Sequence, residues 1–540
     1  MSPTRTNSTN GTIVSAALLL GVSSLLSRIV GLVRDRVFTS TFGAGDTFDS
    51  FVVAFRIPDL IFNLIVIGAL SAAFIPLFTE KMVNGKKGEE EAHRFALSIL
   101  HLMGLGIGLL SICFALFAPQ IIPLIAPGFA GDKLQTTVLL SRIMALQPIL
   151  LCVSFVFSGI LNSYKKFFAY ALAPILYNLG IIAGAIYLVP IFGVAGLGWG
   201  VVLGALLHAG VQLPSVLKVG FSWKPVLISS SKDLLNIWQM MLPRVFGLAA
   251  QQANLFIVTI IGSGLLSGSI AAFHLANNVQ YIPIGIFGIA FAQAAFPTLA
   301  EQFARKKKAE FRHTITKSFR YIMFFVIPVS ALFYLLRTQI IRVLFGHGAF
   351  NWADTTVTYE TFGFLVVSIF AQATIPLLTR AFYAQHNTKM PVLISLGSIA
   401  INTAIAFPFA HAYGVQGLAI AFSASTILQL AVLLGILHVH LDGFDDKKVI
   451  ISISKMVIAT IVAAITTQLL KTPIANVVDM QRFWGILTQL IGSFGGGMLA
   501  YVIICIVLKS EELEIIKRYI PKKLRLPSGT DTPRFSGLIE

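Results

Sequence analysis

No charged residue stands between Ile13 and Ser27, and apolar stretches of similar purity recur along the whole chain. This feature limits the fold more than any other. Backbone placed in hydrocarbon must satisfy its own hydrogen bonds, and a helix does so within a single segment. About 20 apolar residues, rising about 1.5 Å each, cross roughly 30 Å of hydrocarbon. Windows of this kind predict spans near 13–33, 50–78, 95–122, 136–161, 168–190, 193–217, 233–262, 268–298, 320–343, 355–379, 391–411, 415–438, 450–470 and 483–508. The chain is 56% hydrophobic and 12% charged, against roughly 25% charged in a soluble domain. The expected fold is therefore an all-α polytopic membrane protein of about 14 transmembrane helices. The first apolar run contains Arg28 and no small-residue cleavage site follows it, so it reads as a retained helix and not a signal peptide.

Lysine and arginine set the orientation, because cytoplasmic loops carry the excess. With the N-terminus inside, the inner segments hold 28 of these residues and the outer segments 7. The N-terminal Met1 and the C-terminal Glu540 are thus both expected in the cytoplasm of a multi-pass protein. The net charge of +17 follows from the same loops, which would lie against anionic membrane lipids. No soluble basic domain exists to bind a nucleic acid, so none is expected as a partner. Within the basic tail 509–540, residues 510–525 could form a short interfacial helix, with disorder after Pro527.

Two stretches about 220 residues apart echo one another. One runs Gly43-Ala44-Gly45, Ala54-Phe55, Pro58, Ala72-Ala73-Phe74-Ile75-Pro76 and Glu80. The other runs Gly262-Ser263-Gly264, Ala272-Phe273, Pro283, Ala294-Ala295-Phe296-Pro297 and Glu301. Both start outside and end inside, which predicts a parallel repeat; corresponding interrupted helices in two halves point toward a transporter's binding site. The expected organisation is an N-terminal lobe at 1–217, a pseudo-symmetric second lobe of six helices at 218–440 and two additional helices at 441–508.

Arg28, Arg34, Asp35, Asp49, Arg56, Asp59, Arg142 and Arg244 lie within or beside spans. A mid-bilayer charge costs at least about 2.5–3.5 kcal/mol on insertion scales, so such groups face a wet cavity or each other. Arg28 and Asp35 are seven residues apart, as are Asp49 and Arg56, and each pair therefore shares a helix face. Two readings follow: ion pairs that pin the first two helices, or a cavity whose guanidinium forks bind phosphate oxygens. Arg28, Arg34 and Arg56 favour the cavity, whereas Asp49 favours the structural role. In the second half, Arg244 is followed by Gln251, Gln252 and Asn254, then by His274, Asn277, Asn278 and Gln280. His101 and His208 stand alone in their spans and read as packing or interfacial residues.

Some chemistry is excluded. Cys113, Cys152 and Cys505 are too few and scattered for a disulfide framework or a thiolate metal site. There is no phosphate loop ending in Lys-Ser/Thr, no His-Glu-x-x-His and no Gly-x-Ser-x-Gly. These absences predict a protein that is not an enzyme and uses no catalytic residue, metal or cofactor.

Ser27-Arg28-Ile29-Val30-Gly31-Leu32-Val33-Arg34-Asp35, then Phe42-Gly43-Ala44-Gly45, Asp49 and Ala54-Phe55-Arg56-Ile57-Pro58, form a dense motif. It continues through Gly68 to Pro76, Ala126-Pro127-Gly128-Phe129, Met241-Leu242-Pro243-Arg244 and Arg380 to Pro391. Across essentially the whole chain it resembles the MurJ (MviN) family of lipid II flippases, within the multidrug/oligosaccharidyl-lipid/polysaccharide exporter superfamily. The resemblance implies a bacterial cytoplasmic-membrane protein moving a lipid-linked diphosphate oligosaccharide between leaflets by alternating access. It makes Ser27, Arg28, Arg34, Asp35, Asp49, Arg56, Arg244 and Asn278 the candidate substrate-binding residues. It also allows cell-wall synthesis proteins as partners. This chain departs from the family at four places. Phe62 or Asn63 stands where a basic residue is common, Ile67 where an acidic one is, Asn278 and Tyr281 where an Arg and a Glu are, and Val258 where some members carry an acidic sodium ligand. Two alternatives to the flippase stay open: an exporter of another lipid-linked oligosaccharide or of a drug-like cation, and a non-transporting cell-wall scaffold.

Overall fold

The computed structural model describes residues 6–64, 74–84, 88–223 and 252–514, with side chains from Leu19 onward except at Asn84. Every regular element among the described residues is helical. In chain order they are α1 (Thr6–Phe42), α2 (Asp46–Ile61), α3 (Ile75–Asn84), α4 (Gly88–Ile125), α5 (Gly131–Ser163), α6 (Phe167–Phe192), α7 (Ala195–Lys218) and α8 (Gln252–Ser263). There follow α9 (Ser269–Ala304), α10 (Lys308–Leu335), α11 (Arg337–Phe345), α12 (Trp352–Val366), α13 (Ile369–Ala384), α14 (Lys389–Tyr413), α15 (Val415–His440), α16 (Asp446–Val477) and α17 (Phe483–Val507). Ten of the described helices are long and apolar enough to cross a membrane, and eleven when α12 and α13, bent by 46°, count as one span. Each of the eleven overlaps an expected span, but the one expected near 320–343 is broken: α10 starts at Lys308 and ends at Leu335, and α11 begins at Arg337. The spans expected near 13–33, 50–78 and 233–262 all reach residues or side chains outside the described set.

The chain groups into two compact units. The first comprises Met1–Ile282, Leu336–Gln372 and His386–Leu433; the second comprises Pro283–Leu335, Ala373–Gln385 and Leu434–Glu540. In the first unit α5 is central, with 67% of its most apolar stretch buried, whereas α14 has 17%. The remaining faces are apolar and open, as at Leu105 and Phe407, which suits helices solvated by lipid tails. Helices α6 and α7 approach closely because glycine faces glycine: a Cβ at Gly184 would run into Gly200, and one at Gly180 into Gly204. Small residues let membrane helices approach this way, since lipid offers no hydrophobic drive to associate. Polar contacts add to the packing. Ser154 and Ser158 of α5 bond with His208 and Gln212 of α7, Gln212 Nε2 donating to Ser154 Oγ at 2.7 Å and Ser158 Oγ to Gln212 Oε1 at 2.8 Å. His208 is thus the packing residue its isolation in the span suggested.

In the second unit, the Tyr501 hydroxyl of α17 donates to the Phe324 carbonyl of α10 at 2.8 Å. Beyond the end of α17, Glu512 is 1% exposed. It accepts hydrogen bonds from Arg320 Nε (2.7 Å), Ser510 (2.7 Å) and Ser452 (2.5 Å). Burial pushes its carboxyl up, but these hydrogen bonds and the Arg320 charge outweigh burial and hold it below the usual glutamate range. A depressed carboxylate stabilises the fold above its unfolded value of about 4.3, and that contribution is lost as pH falls through its own lower value. Glu512→Gln is therefore expected to melt at a lower temperature than wild type at pH 7 in detergent. The gap should narrow below about pH 4; a gap independent of pH would remove the charge from this account.

Candidate anion site in the helix bundle

A spacing of seven residues along a helix is about 10.5 Å of rise. Side chains on one face at that distance do not touch, and the structure corrects both expected pairs. Asp35 is paired with its neighbour Arg34, whose Nε and Nη2 donate to one carboxylate oxygen at 3.0 and 2.8 Å. The other oxygen accepts from Asn278 Nδ2 of α9 at 2.9 Å. Arg34 Nη1 also reaches Asn178 Oδ1 of α6 at 3.2 Å. Three helices far apart in sequence thus meet at one buried carboxylate, with Asp35 2% exposed and Arg34 18%. Arg28, two turns earlier on α1, lies with its guanidinium 5.4 Å from the centroid of the Tyr281 ring. It has no carboxylate within 4 Å among the described residues. Ser27 is half-buried beside it.

Arg56 of α2 donates through Nε to Thr259 Oγ1 of α8 at 3.0 Å. Asp59 lies one turn further along α2, and Asn63 Nδ2 donates to the Asp59 carbonyl. His274 Nε2 is 3.0 Å from Asn278 Nδ2, and the imidazole packs edge-on to Phe48. The site therefore contains three guanidinium groups, two carboxylates and several neutral donors. Arg34 is held rigid between Asp35 and Asn178, while Arg28 is held only by an aromatic face. A planar fork of this kind suits phosphate oxygens. Among the described residues no group of three His, Cys, Asp or Glu could hold a metal ion. Arg244 lies outside the described residues.

Asp49 sits apart from this cluster, 1% exposed and saturated by protein. Its Oδ2 accepts from Lys133 Nζ and from the Gly268 N–H, each at 2.8 Å, and its Oδ1 from the Ala271 N–H at 2.8 Å. It therefore caps the N-terminus of α9, where unpaired N–H groups and the helix dipole favour a negative charge. Asp46 joins the same clasp, accepting from Ser267 Oγ at 2.7 Å and pairing with Lys133 at 2.6 Å. Lys133 beside it holds the Asp46 carboxyl below the usual range. Gly268 has φ +85°, and a Cβ there would strike the Ala44 carbonyl, so only glycine closes the turn against the loop after α1. The turn before α12 completes the closure: the Ala349 N–H donates to the Ser40 carbonyl at 2.8 Å and the Ala44 N–H to Asp354 Oδ2 at 3.3 Å.

Sequence reasoning found Arg28, Arg34, Asp35, Arg56 and Asn278 and missed Asn178 and Thr259. Asn178 is the one amide within the span expected near 168–190, a signal that could have marked it. Lys133 was counted only as a loop charge.

In fold, the chain is similar to a solved structure described as "Lipid II flippase MurJ, inward closed conformation", with a TM-score of 0.76 over 92% of this chain and 100% of that one at 24% identity. It is also similar to "Inward-facing conformation of a multidrug resistance MATE family transporter of the MOP superfamily", with a TM-score of 0.64 over 79% of this chain and 98% of that one at 14% identity. The class defined is a polytopic helical bundle with the fold of MATE-type transporters. A family model described as "Lipid II flippase MurJ" matches residues 38–487. A "Probable lipid II flippase MurJ" of Vibrio cholerae is 30% identical over 514 residues, covering 92% of this chain and 96% of the relative. One of Buchnera aphidicola is 32% identical over 418 residues, covering 76% and 81%. The chain belongs to the MurJ family.

Proposed function

We propose that this chain is a lipid II flippase, a bacterial inner-membrane transporter that moves an undecaprenyl-diphosphate-linked peptidoglycan precursor from the inner to the outer leaflet. The observation that carries this reading is the arginine cluster. Among the described residues Arg28 has no carboxylate within 4 Å, and Arg34 has a rigid mount that leaves its side chain 18% exposed. A drug-cation exporter would need spare carboxylates there, whereas Asp35 is already spent on Arg34 and Asn278, and Asp59 lies beside the Arg56 charge. The diphosphate would engage Arg28 and Arg34, with Arg56 and Arg244 following as the two lobes, 1–217 and 218–440, rock about the site. The helices at 441–508 are an addition to the repeat. Both termini face the cytoplasm in this reading, which makes the Asp49 clasp the closed outer gate of an inward-accessible state. No covalent step is required of the protein. Moving a polyanion outward is favoured by a potential negative inside, at about 2.3 kcal/mol per charge per 100 mV.

Complementation tests it. The wild-type chain is expected to restore growth to a bacterium depleted of its own lipid II flippase, and the Arg28→Ala/Arg34→Ala variant, present in the membrane at the same level, is not. Growth supported by the double variant would favour a scaffold over a transporter.

A further inference from the structure

The second unit holds two adjoining cavities that the translocation reading does not use. The first, about 290 Å³, is apolar and is lined by Ile315 and Phe319 of α10, Leu378 of α13, Leu434 and Gly435 of α15, and Val449 of α16. The second, about 270 Å³, carries both signs of charge, with Lys317 and Lys448 facing Asp445 and Glu514 beside the Arg320–Glu512 cluster. Thr316 lies on the wall common to both. It is 4% exposed and its hydroxyl has no hydrogen-bond partner. The shared wall makes the two chambers one candidate site.

The charges fit the same conclusion. Arg320 is committed to Glu511 and Glu512. Lys317 rests against the Tyr321 ring, and neither Lys317 nor Lys448 has a carboxylate within 4 Å among the described residues. Among the described residues, Asp445 and Glu514 likewise have no cation within that distance. Two ammonium groups without a carboxylate partner and two carboxylates without a cation, among the described residues, therefore border an apolar chamber. A ligand that answers all of them has a phosphate, a primary ammonium and a hydrocarbon chain. A purely anionic lipid would leave the carboxylates unanswered beside its phosphate. A choline headgroup has no N–H to donate to them.

We propose that the paired cavity binds an ethanolamine-type aminophospholipid, its phosphate on Lys317 and Lys448, its ammonium on Asp445 and Glu514, and an acyl chain in the apolar chamber. The assignment of this lipid to the inner leaflet rests on the orientation proposed above; binding itself does not. Gly435 supplies the means of testing it, because a Cβ added there meets no atom within 4 Å. Gly435→Trp can therefore fill the chamber without moving backbone.

The experiment titrates the purified full-length protein in detergent with phosphatidylethanolamine, phosphatidylglycerol and phosphatidylcholine of matched chains, and reads bound lipid by native mass spectrometry. Phosphatidylethanolamine is expected to be retained over the other two by a factor of about 5–30, the worth of one or two kcal/mol. Gly435→Trp and the Lys317→Ala/Lys448→Ala pair should each lose that preference. Glycerophosphoethanolamine, which lacks the chains, should not compete. Equal retention of the three lipids would overturn the proposal, as would unaltered retention by the lysine pair. Competition by the free headgroup would overturn the lipid assignment in favour of a soluble ligand. The lysines are exposed, so that variant keeps the test decisive if the tryptophan does not fold. None of these readouts requires transport, so their failure is distinct from failure of the flippase reading.

Discussion

Replacing Arg34 with alanine is expected to abolish translocation, and the reason divides into two measurable parts. Without the guanidinium, Asp35 stays buried with only the Asn278 hydrogen bond to support its charge. Breaking a buried pair from one side costs about 3–5 kcal/mol, so the amount of protein in the membrane should fall. The double variant Arg34→Ala/Asp35→Ala removes that stranded charge and should recover the protein level. It should not recover transport, because the donors aimed at phosphate are still missing. Arg34→Lys keeps the charge but cannot reach Asp35 and Asn178 together. It also offers phosphate no bidentate fork; a charge-assisted hydrogen bond to substrate lost in this way is worth about 1.5–3 kcal/mol, so at least about tenfold weaker substrate binding follows. Immunoblots of membrane fractions beside growth complementation separate the two parts. Full transport by the double variant would move anion recognition away from Arg34.

The second large effect is expected at the clasp. Asp49→Ala removes the acceptor for the Gly268 and Ala271 N–H groups and one of the two carboxylates on Lys133. If the clasp is the outer gate, its loss favours the outward-open state, and the bundle interior becomes reachable from outside. A cysteine at position 278 reports this. Cys113 is exposed and must first be changed to serine, whereas Cys152 and Cys505 are buried and silent. In that background, the position-278 cysteine is expected to react with a membrane-impermeant maleimide about tenfold faster, or more, when Asp49 is alanine, since a decade needs only about 1.4 kcal/mol. Asp49→Asn, which can still accept one hydrogen bond, should fall between. Unchanged labelling would make Asp49 a cap of α9 with no gating role.

The spans were legible in the sequence because hydrophobicity is a property of each segment alone. Eleven expected spans overlap helices; what escaped was the break at Leu336 within the span expected near 320–343 and the 46° bend between Val366 and Ile369. The members of the candidate site were largely legible too, since a charge stranded in apolar sequence stands out. Their partners were not. Asn278 reaches Asp35 across 243 residues and Asn178 reaches Arg34 across 144, and no one-dimensional pattern encodes which helices touch. Position along a helix face suggested Arg28 with Asp35. Adjacency decided otherwise, because the long Arg34 side chain folds back onto the residue beside it. Asp49 shows the same limit from the other side: its partners are backbone N–H groups, which the identity of a residue does not reveal.

The central claim is that this chain carries lipid II across the membrane through Arg34. The most direct measurement is the fraction of lipid II whose headgroup an externally added lipid II-cleaving enzyme can reach, in cells depleted of their own flippase. The wild-type chain is expected to restore the accessible fraction to its level before depletion. Arg34→Ala/Asp35→Ala, present at equal abundance, should leave lipid II facing the cytoplasm. An accessible fraction that is the same with the wild-type chain, with the variant and with neither would contradict the account.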